Sequence, residues 1–309
     1  MSTKPDAIDV HYSIINTDDR EQFARALALE TGPKWHFETV PGYFKQLLLD
    51  TDETTFDYFK ENFGKLKPWP QIAREISELN KNSPENVHYK LFLLGRHGQG
   101  YHNLANLIYG EAEWNAKWLH LTTDGKIVWG PDPELTELGL KQAKDNYDQL
   151  EIELRKGLHL PTRWFSSPFR RLIDTLIGTW DGHVDLKGVQ PLIKEDLRET
   201  LGVHTCDKRS PRRVIAEKYE KKGFVIEDGF EEEDTLFKED YREKVWEQAV
   251  RQDRAFQHIF GATDKFSDEF ISVTSHLGLI RTQLLVLGHR AFAIGTGGMI
   301  PVVVKGTYK

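Results

Sequence analysis

Cysteine is almost missing from this chain. Cys206 is the single one among 309 residues, so no disulfide can form within the chain. That usage fits a reducing compartment, and the expected location is the cytoplasm, with the nucleus as the alternative. Long apolar runs are also missing. The opening Met1–Val10 is polar and charged, without the apolar centre of a signal peptide, and no stretch approaches the length of a bilayer span. There is no excess of positive charge: 41 basic residues face 48 acidic ones, for a net charge of −7. A broad nucleic-acid or membrane footprint is therefore not expected, although an acidic protein can still carry a locally positive pocket. Gly/Ser linkers and internal repeats are absent. No Cys/His cluster has zinc spacing. The glycines at 95, 98 and 100 match neither the dinucleotide fingerprint nor a P-loop.

What is present is a globular composition, 39% hydrophobic, and a pattern that changes near residue 87. Residues 1–86 read as an N-terminal elaboration. Its aromatics (Tyr43, Phe44, Phe56, Tyr58, Phe59, Phe63, Trp69) predict that it packs on the core. Residues 87–309 alternate strands and helices, the signature of a mostly parallel sheet covered on both faces. Strands are expected at Tyr89–Leu94, Arg163–Phe165 and Glu269–Val273. Final strands are expected at Ala291–Ile294 and Met299–Val304, around the turn Gly295–Gly298. Thr136 can cap a helix running to about Lys156, and further helices are predicted over 169–180 and 241–260.

Three of these strands end at residues suited to chemistry. Tyr89–Leu94 leads into Arg96-His97-Gly98, with Asn103 six residues after the histidine. Arg163–Phe165 leads into Ser166-Ser167-Pro168-Phe169-Arg170-Arg171. Glu269–Val273 leads into Thr274-Ser275-His276. In an open parallel sheet the carboxyl ends of strands share one edge, where ligands bind. The expected site therefore gathers two histidines and two arginines from distant segments.

Such a group suits a phosphomonoester. Arginine forks make bidentate contacts with phosphate oxygens, and Arg96 is one candidate. Either Arg170 or Arg171 could be the other on residue chemistry alone. His276, if protonated, would add a third charge, and Asn103 either a neutral contact or a helix cap. His97, kept neutral by adjacent cations, could attack phosphorus. Glu199, in Leu197-Arg198-Glu199-Thr200-Leu201-Gly202, is the carboxyl group placed to protonate a leaving oxygen. His102 and His204 read as polar groups outside the reacting set. His204, five residues past Glu199, is a candidate substrate contact. The acidic run 227–240 reads as a solvated loop or helix start.

The order of these motifs resembles the histidine phosphatase (phosphoglycerate mutase-like) superfamily. Its Arg-His-Gly is present at Arg96–Gly98. Its Ser-Pro-x-x-Arg is present at Ser167–Arg171, which selects Arg171. Its Leu-Arg-Glu is present at Leu197–Glu199, and its Ser-His-x-Gly-x-Ile-Arg at Ser275–Arg281. Leu135–Ala143 is similar to the Leu-Thr-x-x-Gly-x-x-Gln-Ala opening of that family's next helix. Arg198–Arg209 and Thr39–Phe44 resemble a narrower group, the fungal phosphomutase-like proteins. Two departures stand out. Gly100 replaces a hydroxyl-bearing residue, and the Glu199–Gly202 spacing is one residue shorter than in the mutases proper.

The resemblance implies a three-layer α/β/α sandwich with a mostly parallel central sheet, phosphoglycerate mutase-like. It also implies phosphomonoester hydrolysis through a phosphohistidine. His97, Glu199 and His276 would be catalytic, with Arg96, Asn103, Arg171 and His204 binding a small phosphorylated substrate. Neither metal nor cofactor is expected. A phosphomutase is the nearest alternative, and a non-catalytic scaffold subunit with the same fold is another.

Overall fold

The structure, a computed structural model, describes residues 4–309. Its centre is a seven-stranded sheet: β1 (Trp35–Thr39), β2 (Val87–Arg96), β3 (Arg163–Ser166), β4 (Leu192–Ile193), β5 (Val225–Ile226), β6 (Phe270–Ser275) and β7 (Met299–Tyr308). The spatial order is β1-β7-β2-β6-β3-β4-β5. Only β7 opposes the rest, pairing antiparallel with β1 on one side and β2 on the other. Eleven helices surround the sheet among the described residues: α1 (Ala7–Ser13), α2 (Thr17–Leu29), α3 (Trp69–Asn82), α4 (Tyr101–Tyr109), α5 (Glu111–Ala116), α6 (Glu137–Arg155), α7 (Arg170–Trp180), α8 (Leu186–Val189), α9 (Arg212–Tyr219), α10 (Val245–Gly261) and α11 (Leu277–Val286).

The three layers follow from strand periodicity. Successive side chains of β2 point to opposite faces. Leu91 and Leu93 enter one apolar cluster with Ile72, Leu150, Ile173 and Leu176 of α3, α6 and α7. Phe92 and Leu94 enter the other, with Phe23, Ala249, Phe256, Leu279 and Leu284 of α2, α10 and α11. Burial on both faces explains why β2 reads as a nearly unbroken apolar run. The fold is thus an α/β/α sandwich around a mostly parallel sheet. The N-terminal stretch shares this core. Its Tyr43, Phe44, Tyr58, Phe63 and Trp69 are buried in the first cluster, and its β1 forms the sheet edge. None of the described helices is long and apolar enough to cross a membrane.

Some local expectations fail for definable reasons. Ala291–Ile294 is not a strand. Both edges of β7 are already taken, and the Ile294 carbonyl accepts a hydrogen bond from Arg96 Nη1 at 2.7 Å instead of pairing in the sheet. Helix α10 starts at Val245 rather than 241, because the two residues before its cap are committed elsewhere. Arg242 donates to the carbonyls of Thr200 and Gly202, and Glu243 pairs with Arg251. The acidic run is not wholly solvated. The Asp234 carboxylate, 2% exposed, receives both terminal nitrogens of the fully buried Arg198.

The sheet register sets the site. Arg96 pairs with Ser275, and both Gly95 and Ser166 pair with Thr274. The carboxyl ends of β2, β6 and β3 therefore lie level and adjacent, and the residues that follow each strand converge.

Candidate active site

His97 follows β2 directly. Its backbone N–H donates to Ser275 O, and its carbonyl accepts from Gly297 N. Both bonds seat it against the neighbouring strand end and the glycine turn. The next residues press on α6. A Cβ on Gly98 would lie 2.4 Å from Gly139 O, and one on Gly139 would lie 2.2 Å from Gln99 O. Glycine at both positions is what lets the turn touch the helix. Thr136 Oγ1 caps that helix by accepting from Gly139 N at 3.1 Å.

The two histidines meet. The rings of His97 and His276 are 5.2 Å apart, centroid to centroid, at 69°, and both residues are buried. His97 Nδ1 lies 2.7 Å from Gly98 O. A carbonyl only accepts, so this nitrogen carries the proton and Nε2 keeps a free lone pair. Burial, then Arg171 and Arg96, hold the His97 pKa well below the usual imidazole value. The ring is therefore neutral at physiological pH.

His276 caps α11. The Arg171 guanidinium approaches its Nδ1 at 3.4 Å, and a guanidinium can only donate. Its Nε2 then carries the proton and donates to Ser167 Oγ at 2.9 Å. Burial and Arg171 lower its pKa well below the usual value. The third positive charge anticipated from His276 is thus not carried by this structure.

The Arg170/Arg171 ambiguity is resolved by geometry. Arg170 turns away, donating to Asp132 O and to Glu134 Oε1. Arg171 is fully buried. It donates to Cys206 O at 3.1 Å and Asp207 Oδ1 at 3.3 Å, and lies 4.4 Å from the centroid of the Phe169 ring. Phe169 also meets the His276 ring edge-on at 5.4 Å. It is an orienting contact that the motif spacing left unassigned. Arg96, at the end of β2, donates Nη1 to Asp9 Oδ1 and to Ile294 O, both at 2.7 Å. The Nε atoms of Arg96 and Arg171 are buried without a hydrogen-bond partner.

A cavity of about 470 Å³ opens beside this group. Arg96, His97, His102, Asn103, Glu199 and His204 line it, whereas Arg171 and His276 lie behind its wall, fully buried. Asn103 does both things open to it in sequence: its Oδ1 accepts from Gly100 N at 2.9 Å, a cap on α4, and the residue faces the cavity. Glu199 is half-buried. Its carboxylate accepts from Thr200 N (2.9 Å), Thr200 Oγ1 (3.2 Å) and Gly278 N (3.3 Å). A Cβ on Gly278 would stand 2.5 Å from Glu199 Oε1, so the glycine two residues past His276 makes room for the acid. The His204 pKa is pushed down to about 3, by burial first and then by Arg242.

Three participants escaped the sequence reading. His102, read as outside the reacting set, lines the cavity 5.4 Å from the His97 ring, and its Nδ1 is buried without a partner. Arg281 also lines it. Gly278 and Arg281 are three apart on α11 and share a face, a signal that could have found it. Asp9 offered no such signal, being 87 residues from Arg96. His204, Cys206 and Asp207 place donor atoms within 4.8 Å of one another. Arg171 and Arg242 already occupy the two Asp207 oxygens, and their charges oppose a cation there.

Chemically, the arrangement offers a neutral imidazole with a free lone pair, an unpartnered Arg96 Nε–H and the Glu199 carboxylate, all lining one cavity. Residues 92–293 match the model of the histidine phosphatase superfamily (branch 1). A "Probable phosphoglycerate mutase" of Arthroderma benhamiae is 38% identical, over 87% of this chain and 84% of its own length. A protein of the same description from Saccharomyces cerevisiae is 34% identical, over 86% and 95%. Among solved structures, the mycobacterial glucosyl-3-phosphoglycerate phosphatase aligns over 70% of this chain and 90% of its own, with a TM-score of 0.41 and 18% identity. By strand order, motif order and the extent of the match, this chain belongs to the histidine phosphatase superfamily.

Proposed function

We propose that the protein is a metal-independent phosphatase acting on a small phosphomonoester through a phosphohistidine on His97. The observation that carries this is the buried, unpartnered Nε–H of Arg96, which lines the cavity beside a neutral His97. A buried donor left unpaired costs about 1–3 kcal/mol, more when charged. A phosphate group in the cavity would satisfy it.

His97 Nε2 attacks phosphorus in line. The phosphorus–oxygen ester bond breaks, and its electron pair leaves with the alkoxide, which takes a proton from Glu199. Arg96 and Asn103, on the cavity wall, hold the phosphoryl oxygens as charge develops, with the buried Arg171 adding its positive field from behind. Water then attacks the phosphohistidine. Its proton returns to Glu199, the nitrogen–phosphorus bond breaks, and inorganic phosphate departs. His204, on the cavity wall, contacts the organic part of the substrate.

The printed names of the fungal relatives favour a second reading, a phosphomutase. That chemistry must shield the phosphohistidine from water. The test is release of phosphate from p-nitrophenyl phosphate without a bisphosphate primer, in parallel with His97→Ala. Steady turnover with an acid-labile phosphoenzyme, both lost in the variant, supports the phosphatase. Primer-dependent exchange favours the mutase. No turnover across a broad phosphomonoester panel sinks both.

A further inference from the structure

We propose that Asp9 is a positioning residue of the phosphate site: it holds the Arg96 guanidinium so that its Nε–Nη2 edge is presented to the anion. The proposal rests on the reading of the site given above, and extends it to a helix outside the residues matched by the family model, 92–293.

A guanidinium is a rigid planar fork with five N–H donors. In Arg96, Nη1 has two of them, and both are used: one goes to Asp9 Oδ1 and the other to Ile294 O, each at 2.7 Å. Two acceptors on one nitrogen fix the plane of the group. They leave Nε–H and the Nη2 hydrogens on the opposite edge, the geometry that meets two phosphate oxygens. Nε is indeed buried with no partner.

Asp9 is itself held. Its Oδ2 accepts from Asp6 N at 3.2 Å, while its own N–H donates to Asp6 Oδ1 at 2.8 Å. This reciprocal cap anchors Oδ2 and leaves Oδ1 to Arg96. The pair is sheltered, with side chains 5% (Arg96) and 11% (Asp9) exposed. Ile8 and Tyr12, on the same short helix, also line the cavity. Helix α1 is thus a wall of the site as well as the carrier of its brace. A carboxylate free to swing would compete with phosphate for Arg96. One anchored at Oδ2 sets the arginine instead.

The test uses the full-length protein and inorganic phosphate as the probe. Phosphate binding by calorimetry, kinetics on p-nitrophenyl phosphate and melting temperature are compared for wild type, Asp9→Ala and Asp9→Asn. Asp9→Ala is expected to bind phosphate about tenfold more weakly and to raise KM to a similar degree, with kcat changed less. Asp9→Asn, whose amide oxygen still accepts from Nη1, recovers most of the loss. The inference is overturned if a folded Asp9→Ala binds phosphate as wild type does, or more tightly, or if Asn rescues no better than Ala. A wild-type protein that neither binds phosphate nor hydrolyses the ester overturns the site reading itself, and the Asp9 role with it.

Discussion

Arg170 and Arg171 are neighbours in the chain and serve opposite sides of one helix start. Arg171 is sealed against His276, Cys206 and Asp207, while Arg170 is bound to Asp132 and Glu134. Replacing each should therefore fail differently. Arg171→Ala should lower kcat/KM by at least about tenfold to a hundredfold, as expected for loss of charge-assisted bonds of about 1.5–3 kcal/mol each. Arg170→Ala should leave kcat/KM near wild type and cost about 1–3 kcal/mol of stability, because the Asp132 carbonyl loses its donors while the buried carboxylate keeps Arg170 N and Ser210 Oγ. Steady-state kinetics and urea unfolding of the two variants separate the roles.

Glu199 should reveal itself through the leaving group. Glu199→Gln keeps the acceptor for Thr200 N and removes the proton donor. Its rate of phosphoenzyme formation, read before the water step, should fall about 10²–10⁴-fold on alkyl phosphates, and much less on a nitrophenyl ester, whose departing oxygen needs no proton. Equal losses on both substrates would remove Glu199 from the role of acid.

Close packing at Gly98 makes a steric prediction. Gly98→Ala puts a methyl group against Gly139 O, between the nucleophile turn and the start of α6. The expected cost is about 1–3 kcal/mol, together with displacement of His97, so turnover should fall more than the melting temperature suggests. A variant of wild-type stability and activity would mean that the turn and helix yield freely.

The buried histidines set a pH dependence. For a base whose pKa drops on folding, the unfolded chain binds the extra proton in the window between the two values. Stability then rises with pH through that window and is lost as pH falls below about 6.5. His289 is 6% exposed, and burial pushes its pKa down to about 4. Between pH 6.5 and 4 it should contribute about 1.4 kcal/mol of destabilisation per unit of falling pH. Urea unfolding of His289→Gln against wild type from pH 7 to 4.5 should show the shallower slope in the variant. Parallel curves would mean that the ring escapes burial.

The same logic applies to catalysis. His97 is held neutral well below its usual pKa, so the acid limb of kcat/KM in the free protein should fall clearly below pH 6.5. An acid limb at or above 6.5 would mean that the nucleophile is not the neutral ring described here.

The sequence by itself determined the alternation of strands and helices after residue 87, the apolar β2, the cap at Thr136 and the motif order around His97, Arg171, Glu199 and His276. These are local signals: periodicity, capping chemistry and short spacings that neighbouring residues enforce on each other. What only the tertiary structure decided is everything carried by contacts between distant segments. Which of two adjacent arginines turns inward depends on Asp132 waiting for the other. Whether His276 is charged depends on burial and on Arg171. The missing strand at Ala291–Ile294 depends on β7 having no free edge. The part played by Asp9 depends on a helix folding back across the sheet to meet Arg96. Hydrogen bonds and burial between such segments leave no periodicity in the chain, because their partners are chosen by the packed fold and not by sequence spacing.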